Sequence, residues 1–303
     1  QCSEQYNTSP RKEILANLPV QLEQLDPLAV ADDATLQRLH NQFVEFLKAC
    51  KSSSHRLSLI QPGRFLIPGD IPDAKLLLFI PLLNIGRYSD VALQNAPNNS
   101  FFKICQSRYQ RYVKELIDPF YQSFFRRIDR QLVLVDVVNA LHAGPAAVAD
   151  MQQALSNITD SFVYGKQSRF AQLFSPKIDK VVFAATKIDQ VLSEDHESVR
   201  QLLGQVVRAA YKSAQHEGVA PECEATAAVR SSHEVRHNGE QGIAGFDTSG
   251  EPIGYVHPSI PLRVPEGEEW QAFLEWHMPK LNPPKGLAAV NYNAMPHMSL
   301  IHI

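Results

Sequence analysis

Lys180-Val181-Val182-Phe183-Ala184-Ala185-Thr186-Lys187-Ile188-Asp189 reads as a buried strand ending in a polar loop. After the leading lysine the run is apolar at consecutive positions, as in a parallel strand covered on two faces. Similar runs flank it: Gln131 to Val138 (QLVLVDVV) upstream and Cys223 to Val229 (CEATAAV) downstream. Between the first and second, Gly144-Pro145 opens a helix, with proline in the first turn where its missing N–H costs nothing. Val148, Met151, Leu155, Ile158 and Phe162 form its apolar face, and Gly165 follows its end. Between the second and third, Ser193 is read as a helix cap, with Glu194, Asp195 and Glu197 in the first turn. Val199, Leu202, Val206, Ala210 and Ala214 form the stripe, and Gly218 terminates the helix. The order β-α-β-α-β predicts right-handed crossovers and a parallel sheet with helices on both faces. Val181–Ala185 is expected between the other two strands or beside at least one.

Outward from this core the pattern changes. Upstream, Leu36, Leu39, Phe43, Leu47 and Cys50 step by three and four, with Asp32 and Asp33 where a cap and first turn belong. A turn-rich stretch follows, from Gln61-Pro62-Gly63-Arg64-Phe65 to Pro68-Gly69-Asp70. A second helical pattern covers Phe101 to Arg127, with Ile104, Tyr112, Leu116, Phe120 and Phe124 on its stripe. Downstream, Ser231 to Pro265 is rich in Gly and His; Gly254-Tyr255-Val256 and Leu262-Arg263-Val264 read as edge strands of a small β-rich insertion. A helix is expected over Glu266 to His277, then a linker from Asn282 to Gly286.

Composition narrows the class. The chain has 303 residues, is 44% hydrophobic and carries a net charge of −3, which is ordinary for a globular protein and argues against a nucleic-acid partner. Cys2, Cys50, Cys105 and Cys223 show no C-x-x-C spacing and read as free thiols of a reducing, cytoplasmic compartment. The longest apolar run, Leu76 to Leu83, is interrupted by Pro81 and falls far short of the ~18 residues of a spanning helix. No signal peptide opens the chain. It begins with Gln1 and stops in the alternating run Ser299-Leu300-Ile301-His302-Ile303, so it is read as an internal fragment.

Thr186-Lys187-Ile188-Asp189 has the spacing of the guanine-recognition signature of GTP-binding domains. There the Asp carboxylate accepts from the ring N–H and exocyclic amine of guanine, a donor pair adenine lacks. A site built for both donors rejects bases that leave it unpaired. The lysine stem lies along the base or ribose. The position fits, because ligands of open parallel sheets bind beyond the carboxyl ends of strands. The next strand ends in Thr226-Ala227-Ala228-Val229, where such domains place a small-residue loop whose backbone N–H meets the base oxygen. Ala227, Ala228 and Val229 therefore join Thr186, Lys187 and Asp189 as candidate nucleotide-binding residues. The bland alternative is a strand-to-helix loop with Lys187 and Asp189 as solvated charges.

These segments carry a resemblance. Arg130-Gln131-Leu132-Val133-Leu134-Val135-Asp136, Gly144-Pro145, Tyr164-Gly165, Leu173-Phe174-Ser175-Pro176 and Phe183-Ala184-Ala185-Thr186-Lys187 are similar to the bacterial YcjX-like family of P-loop NTPases. So are Gln61-Pro62-Gly63-Arg64-Phe65 with Pro68-Gly69-Asp70, and Leu25-Asp26-Pro27-Leu28. The resemblance implies a three-layer α/β/α P-loop NTPase (Ras-like) core with a parallel sheet. A large helical insertion (residues 1–128) and a small β-rich insertion (231–265) interrupt that core, the C-terminal part of which spans 129–303. It also implies GTP or GDP binding, with Mg2+ in the intact parent, and a stress-associated cytoplasmic role with a protein partner at the inner membrane. The family's G-x-x-x-x-G-K-[ST] and D-x-x-G motifs belong upstream of the matched region, and neither is read in these residues. The fragment is therefore expected to lack the phosphate cradle, the metal ligand and the catalytic groups. The competing reading is a non-enzymatic protein-interaction module with a structural α/β core.

Other groupings carry less. Asp136 ends its apolar run as a Walker B aspartate does, but a plain strand-end Asp is favoured. His233 and His237 have metal-ligand spacing, yet their neighbours predict a loop and chance histidines. Arg126, Arg127 and Arg130 suit a helix C-terminus better than a phosphate. Ser-His-Asp catalysis lacks a G-x-S-x-G elbow.

Overall fold

Three strands carry the candidate site, and their hydrogen-bonded register fixes where each one ends. In the computed structural model, which describes residues 6, 9–17, 22–52, 54–71, 73–123, 128–163, 180–276 and 278–282, β1 (Arg130–Val135), β2 (Lys180–Ala185) and β3 (Ala220–Ala225) form a parallel sheet in the order β1-β2-β3. β2 is central, and Ala185 pairs with Val135 on one side and Ala225 on the other, so all three strands finish level. This corrects two boundaries. The third strand stops at Ala225 instead of running to Val229, and it starts before Cys223 because Pro221 is tolerated on an edge strand. The first strand stops at Val135, and Val137 and Val138 open a helix.

The chain divides into two compact units, Gln1–Arg127 and Ile128–Ile303. In the second, α6 (Val137–Ala143), α7 (Pro145–Val163), α8 (His196–Val206) and α9 (Arg208–His216) complete the crossovers. Val133, Val135, Val181, Phe183 and Ala185 point into one core with Val148, Met151, Leu155, Val199 and Leu202. On the opposite face of β1, Leu132 remains 60% exposed. The helix read as capped by Ser193 is two helices. A 3-10 turn, Ser193–Asp195, precedes α8, and a bend at Val207 separates α8 from α9, so that the adjacent Val206 and Val207 both reach the core.

β4 (Ser232–His237), β5 (Glu240–Phe246) and β6 (Pro252–Tyr255) form an antiparallel meander. His233 and His237 thus sit on a strand, not in a loop, and both are exposed; four residues of strand separate them by about 13 Å, too far to share a metal. Leu262-Arg263-Val264 is a bend, not an edge strand, because Pro261 and Pro265 on either side cannot donate to a ladder. The helix expected over 266–277 shrinks to a 3-10 turn, Gly267–Trp270, with a Glu266/Glu269 capping box, followed by α10 (Gln271–Leu274). Beyond it, Trp276 packs on His142 of α6 and on the buried His257, whose Nε2 atoms lie 2.9 Å apart.

In the first unit, α1 (Arg11–Ala16), α2 (Asp33–Lys51), α3 (Asp90–Gln94), α4 (Phe101–Tyr112) and α5 (Asp118–Ser123) alternate with 3-10 turns. Asp32 caps α2 by accepting from the Thr35 N–H at 2.7 Å. The long helix read from Phe101 is split by a π-turn, Val113–Ile117, ahead of Pro119, whose ring and missing N–H break regular pairing. Cys50, Cys105 and Cys223 are free thiols. No helix among the described residues is long and apolar enough to cross a membrane. Cys2, Phe124, Arg126, Arg127, Tyr164-Gly165, Leu173 to Pro176, Asn282 to Gly286 beyond its first residue, the C-terminal run and the Phe162 side chain lie outside the described residues.

Candidate guanine-recognition loops

Because the three strands end level, the loops after β2 and β3 emerge side by side. The Thr186 N–H donates to Val135 O at 2.9 Å, the Thr226 N–H to Ala185 O at 2.8 Å, and the Ile188 N–H to Thr226 O at 3.2 Å. Buried Ile188 anchors the first loop in the core between two polar neighbours. Lys187 takes a left-handed conformation (φ 61°, ψ 32°), which costs a non-glycine residue about 1–2 kcal/mol. That turn carries the chain from strand to 3-10 turn (Ile188–Gln190) and sends the Lys187 side chain towards β1.

There it meets Asp136, its Nζ lying 2.6 Å from Oδ2. Asp136 also caps α6, accepting from the Asn139 side-chain amide at 2.7 Å and, more weakly, from the Asn139 N–H at 3.4 Å. The aspartate ending the apolar run is therefore a strand-end residue with two structural partners. At the other end of the loop, Asp189 Oδ2 accepts from the Ser231 N–H at 2.7 Å and lies 3.3 Å from Ser232 Oγ, which donates to the Asp189 carbonyl. Its second oxygen accepts nothing among the described residues, and the residue is half-buried. Ala227, Ala228 and Val229 follow β3 as a bend, and their N–H groups donate to no acceptor among the described residues. All six candidate residues thus stand at one end of the sheet, on loops joined by the Ile188–Thr226 hydrogen bond.

The model of the YcjX-like family, DUF463, matches residues 1–303. The chain belongs to the YcjX-like family. It is 36% identical over 253 residues to the "Ras-like GTPase YcjX" of Escherichia coli strain K12, covering 82% of this chain and 54% of that protein. It is 32% identical over 268 residues to the "Ras-like GTPase YcjX" of Shewanella oneidensis, covering 85% and 54%. The chain spans about half the length of the curated relatives it matches. In this YcjX-like protein the parallel sheet and its crossover helices are a P-loop-NTPase-like α/β core.

One reading of the sequence needs correction. The letters D-x-x-G do occur once, at Asp247-Thr248-Ser249-Gly250. They form the hairpin turn between β5 and β6, where Asp247 Oδ1 accepts from the Ser249 and Glu251 N–H groups and Gly250 takes φ 87°. That aspartate is consumed by its own turn.

Inspection of the sequence missed the partners of the loop: Asp136 for Lys187, Ser231 and Ser232 for Asp189, and Tyr255. The Tyr255 hydroxyl donates to Gln190 O at 3.1 Å, and its pKa is pushed above the ordinary phenol value by burial first and by the Asp189 charge second. Only Asp136 had a signal, as a polar residue closing an apolar run. The others sit on segments whose approach to the loop is long-range.

Proposed function

We propose that this chain is the base-recognising half of a GTP- and GDP-binding protein, with Thr186, Lys187 and Asp189 on one loop and Ala227, Ala228 and Val229 on the other holding guanine. The observation that carries the reading is the Asp189 carboxylate, fixed through one oxygen by the Ser231 N–H while the other oxygen is left to accept a base donor. The unpaired N–H groups of the 227–229 bend supply the complementary donors for the guanine oxygen. The similarity to two proteins named Ras-like GTPase supports the nucleotide class. Residues 129–303 then form the C-terminal part of the nucleotide-binding core, and residues 1–128 a helical insertion into it. The parent is a cytoplasmic, stress-associated NTPase whose protein partner lies at the inner membrane.

The phosphates and their Mg2+ fall to residues outside this chain. It has no G-x-x-x-x-G-K-[ST] loop, and no group of three His, Cys, Asp or Glu residues converges on a metal position among the described residues. No catalytic step is assigned to these residues, and the isolated chain is expected to release no phosphate above background from GTP in magnesium.

Base reading is tested by Asp189→Asn in the full-length parent. An amide can donate to the oxygen that xanthine carries in place of the guanine amine, where a carboxylate would repel it. Hydrogen bonds to a charged acceptor are worth roughly 1.5–3 kcal/mol, so GDP affinity should fall at least about tenfold while XDP affinity rises. Fluorescent GDP and XDP titrations give the answer. Unchanged GDP affinity would remove Asp189 from the site, since a solvated aspartate should tolerate the change within about 0.5 kcal/mol.

A further inference from the structure

We propose that the β4–β6 meander holds the Asp189 loop in its base-reading position, with Ser232, Glu234 and Tyr255 as positioning residues. This rests on the reading of Asp189 given above. The segment between β2 and α8 has little structure of its own. It consists of two 3-10 turns, Ile188–Gln190 and Ser193–Asp195, closed by four i→i+3 hydrogen bonds: Gln190 N to Lys187 O, Val191 N to Ile188 O, Asp195 N to Leu192 O and His196 N to Ser193 O. Such turns have poor hydrogen-bond geometry and seldom persist unaided.

Several further polar groups of the segment are met from the meander and its exit. Ser232 Oγ donates to the Asp189 carbonyl and approaches its carboxylate. The Ser193 N–H donates to Glu234 Oε1 at 2.5 Å, and Tyr255 OH donates to Gln190 O at 3.1 Å. Just past β6, the Ile260 N–H donates to the buried Asp195 Oδ1 at 3.2 Å. Ser232 and Glu234 are two apart on β4, so both side chains leave the same face of the strand. One meets the first turn of the segment and the other the start of the second.

The meander is built closely enough to act as a brace. Gly245 pairs with Ser232, and a Cβ at Gly245 would lie 2.9 Å from Ser231 O, in the residue whose N–H holds Asp189. A Cβ at Gly242 would lie 2.9 Å from Tyr255 O. The exit of the meander is pinned to α6 through the His142–His257 contact. Movement of β4 against the core would therefore move Asp189 with it, which makes the meander a lever on nucleotide residence.

The experiment uses the full-length protein containing this chain, loaded with fluorescent GDP, and follows release by stopped flow. Tyr255→Phe and Glu234→Ala each remove one hydrogen bond and should speed release roughly two- to tenfold. Glu234→Gln keeps an acceptor for the Ser193 N–H and should restore release to near the wild-type rate. Hydrogen exchange of peptides covering 186–193 and 226–233 should quicken in the first two variants and not in the third. Asp189→Asn is run beside them. If it speeds release while Tyr255→Phe and Glu234→Ala do not, base reading stands and the brace is overturned. The brace falls in that case even if the two variants lower the melting temperature, because a merely structural role predicts that loss alone. If Asp189→Asn also leaves release unchanged, both readings fall.

Discussion

Residues 128–282 bury Val133, Val135, Val181, Phe183 and Ala185 at alternate strand positions, whereas residues 6–123 bury rings against rings with no strand beyond a single bridge among the described residues. In the first unit Tyr6 meets Phe43 edge-on at 5.3 Å, Phe43 meets Phe65 at 5.9 Å, and Phe65 meets Phe79 at 4.9 Å. Edge-to-face pairs tolerate irregular backbone because each ring finds its neighbour by rotation. A parallel ladder does the opposite and fixes where every strand ends. The candidate site belongs to the unit whose loops inherit positions from such a ladder, and that difference can be tested in pairs, one change in each unit.

The largest effect should come from the cores. Phe43→Ala and Phe183→Ala each truncate a fully buried ring, and each should cost about 3–5 kcal/mol in urea unfolding. Only Phe183→Ala should also weaken GDP binding by the parent, because Phe183 holds β2 under the Thr186–Asp189 loop. Equal weakening by both would break the comparison.

The caps come next. Asp136→Ala removes both the α6 cap and the partner of Lys187, and should cost about 1–2 kcal/mol. It should also reduce GDP affinity a few-fold, because the lysine stem loses its tether. Asp32→Ala removes the α2 cap, should cost about 1 kcal/mol, and should leave nucleotide affinity unchanged. Denaturant midpoints and GDP titrations on both variants separate these outcomes, and a GDP effect from Asp32→Ala would count against the division.

The smallest effect is the share of the pH dependence that His40 contributes in the first unit. Burial lowers the His40 pKa below the ordinary histidine value, partly offset by its hydrogen bond to Phe79 O. The unfolded chain then takes up a proton before the folded one does. This contribution to stability is complete above the ordinary histidine range and is lost as pH falls through that range towards the depressed value. The urea midpoint should drop between pH 7.5 and 5.5, and the drop should be smaller in His40→Gln. An identical drop in that variant would assign the dependence to other groups.

The parallel core was legible because strands and amphipathic helices advertise themselves by period. One face of β2 (Val181, Phe183, Ala185), the α7 face from Val148 to Leu155, and the stripe from Val199 to Ala214 are buried where they were read, whereas Val182 on the other face of β2, also read as covered, is only half-buried. The aromatic unit was legible at α2 with its capping aspartate, at the start of the helix read from Phe101 and in the turns around Gly63. Errors gathered where a tertiary constraint or a neighbouring proline outweighs the apolar pattern. β3 ends at Ala225 because β2 ends at Ala185, and Leu262–Val264 cannot pair between two prolines. The long helix from Phe101 yields to a π-turn before Pro119.

At the candidate site, the sequence alone determined which side chains stand together and the end of the sheet at which they stand. Thr186, Lys187, Asp189 and the small residues 227–229 follow strands whose apolar pattern is local and periodic, so their order can be read directly. The tertiary structure alone decided what holds them. Asp136 reaches Lys187 across 51 positions, Ser231 reaches Asp189 across 42, and Tyr255 reaches Gln190 across 65. No periodicity encodes such contacts, because they depend on where the ladder and the meander bring distant segments of chain together.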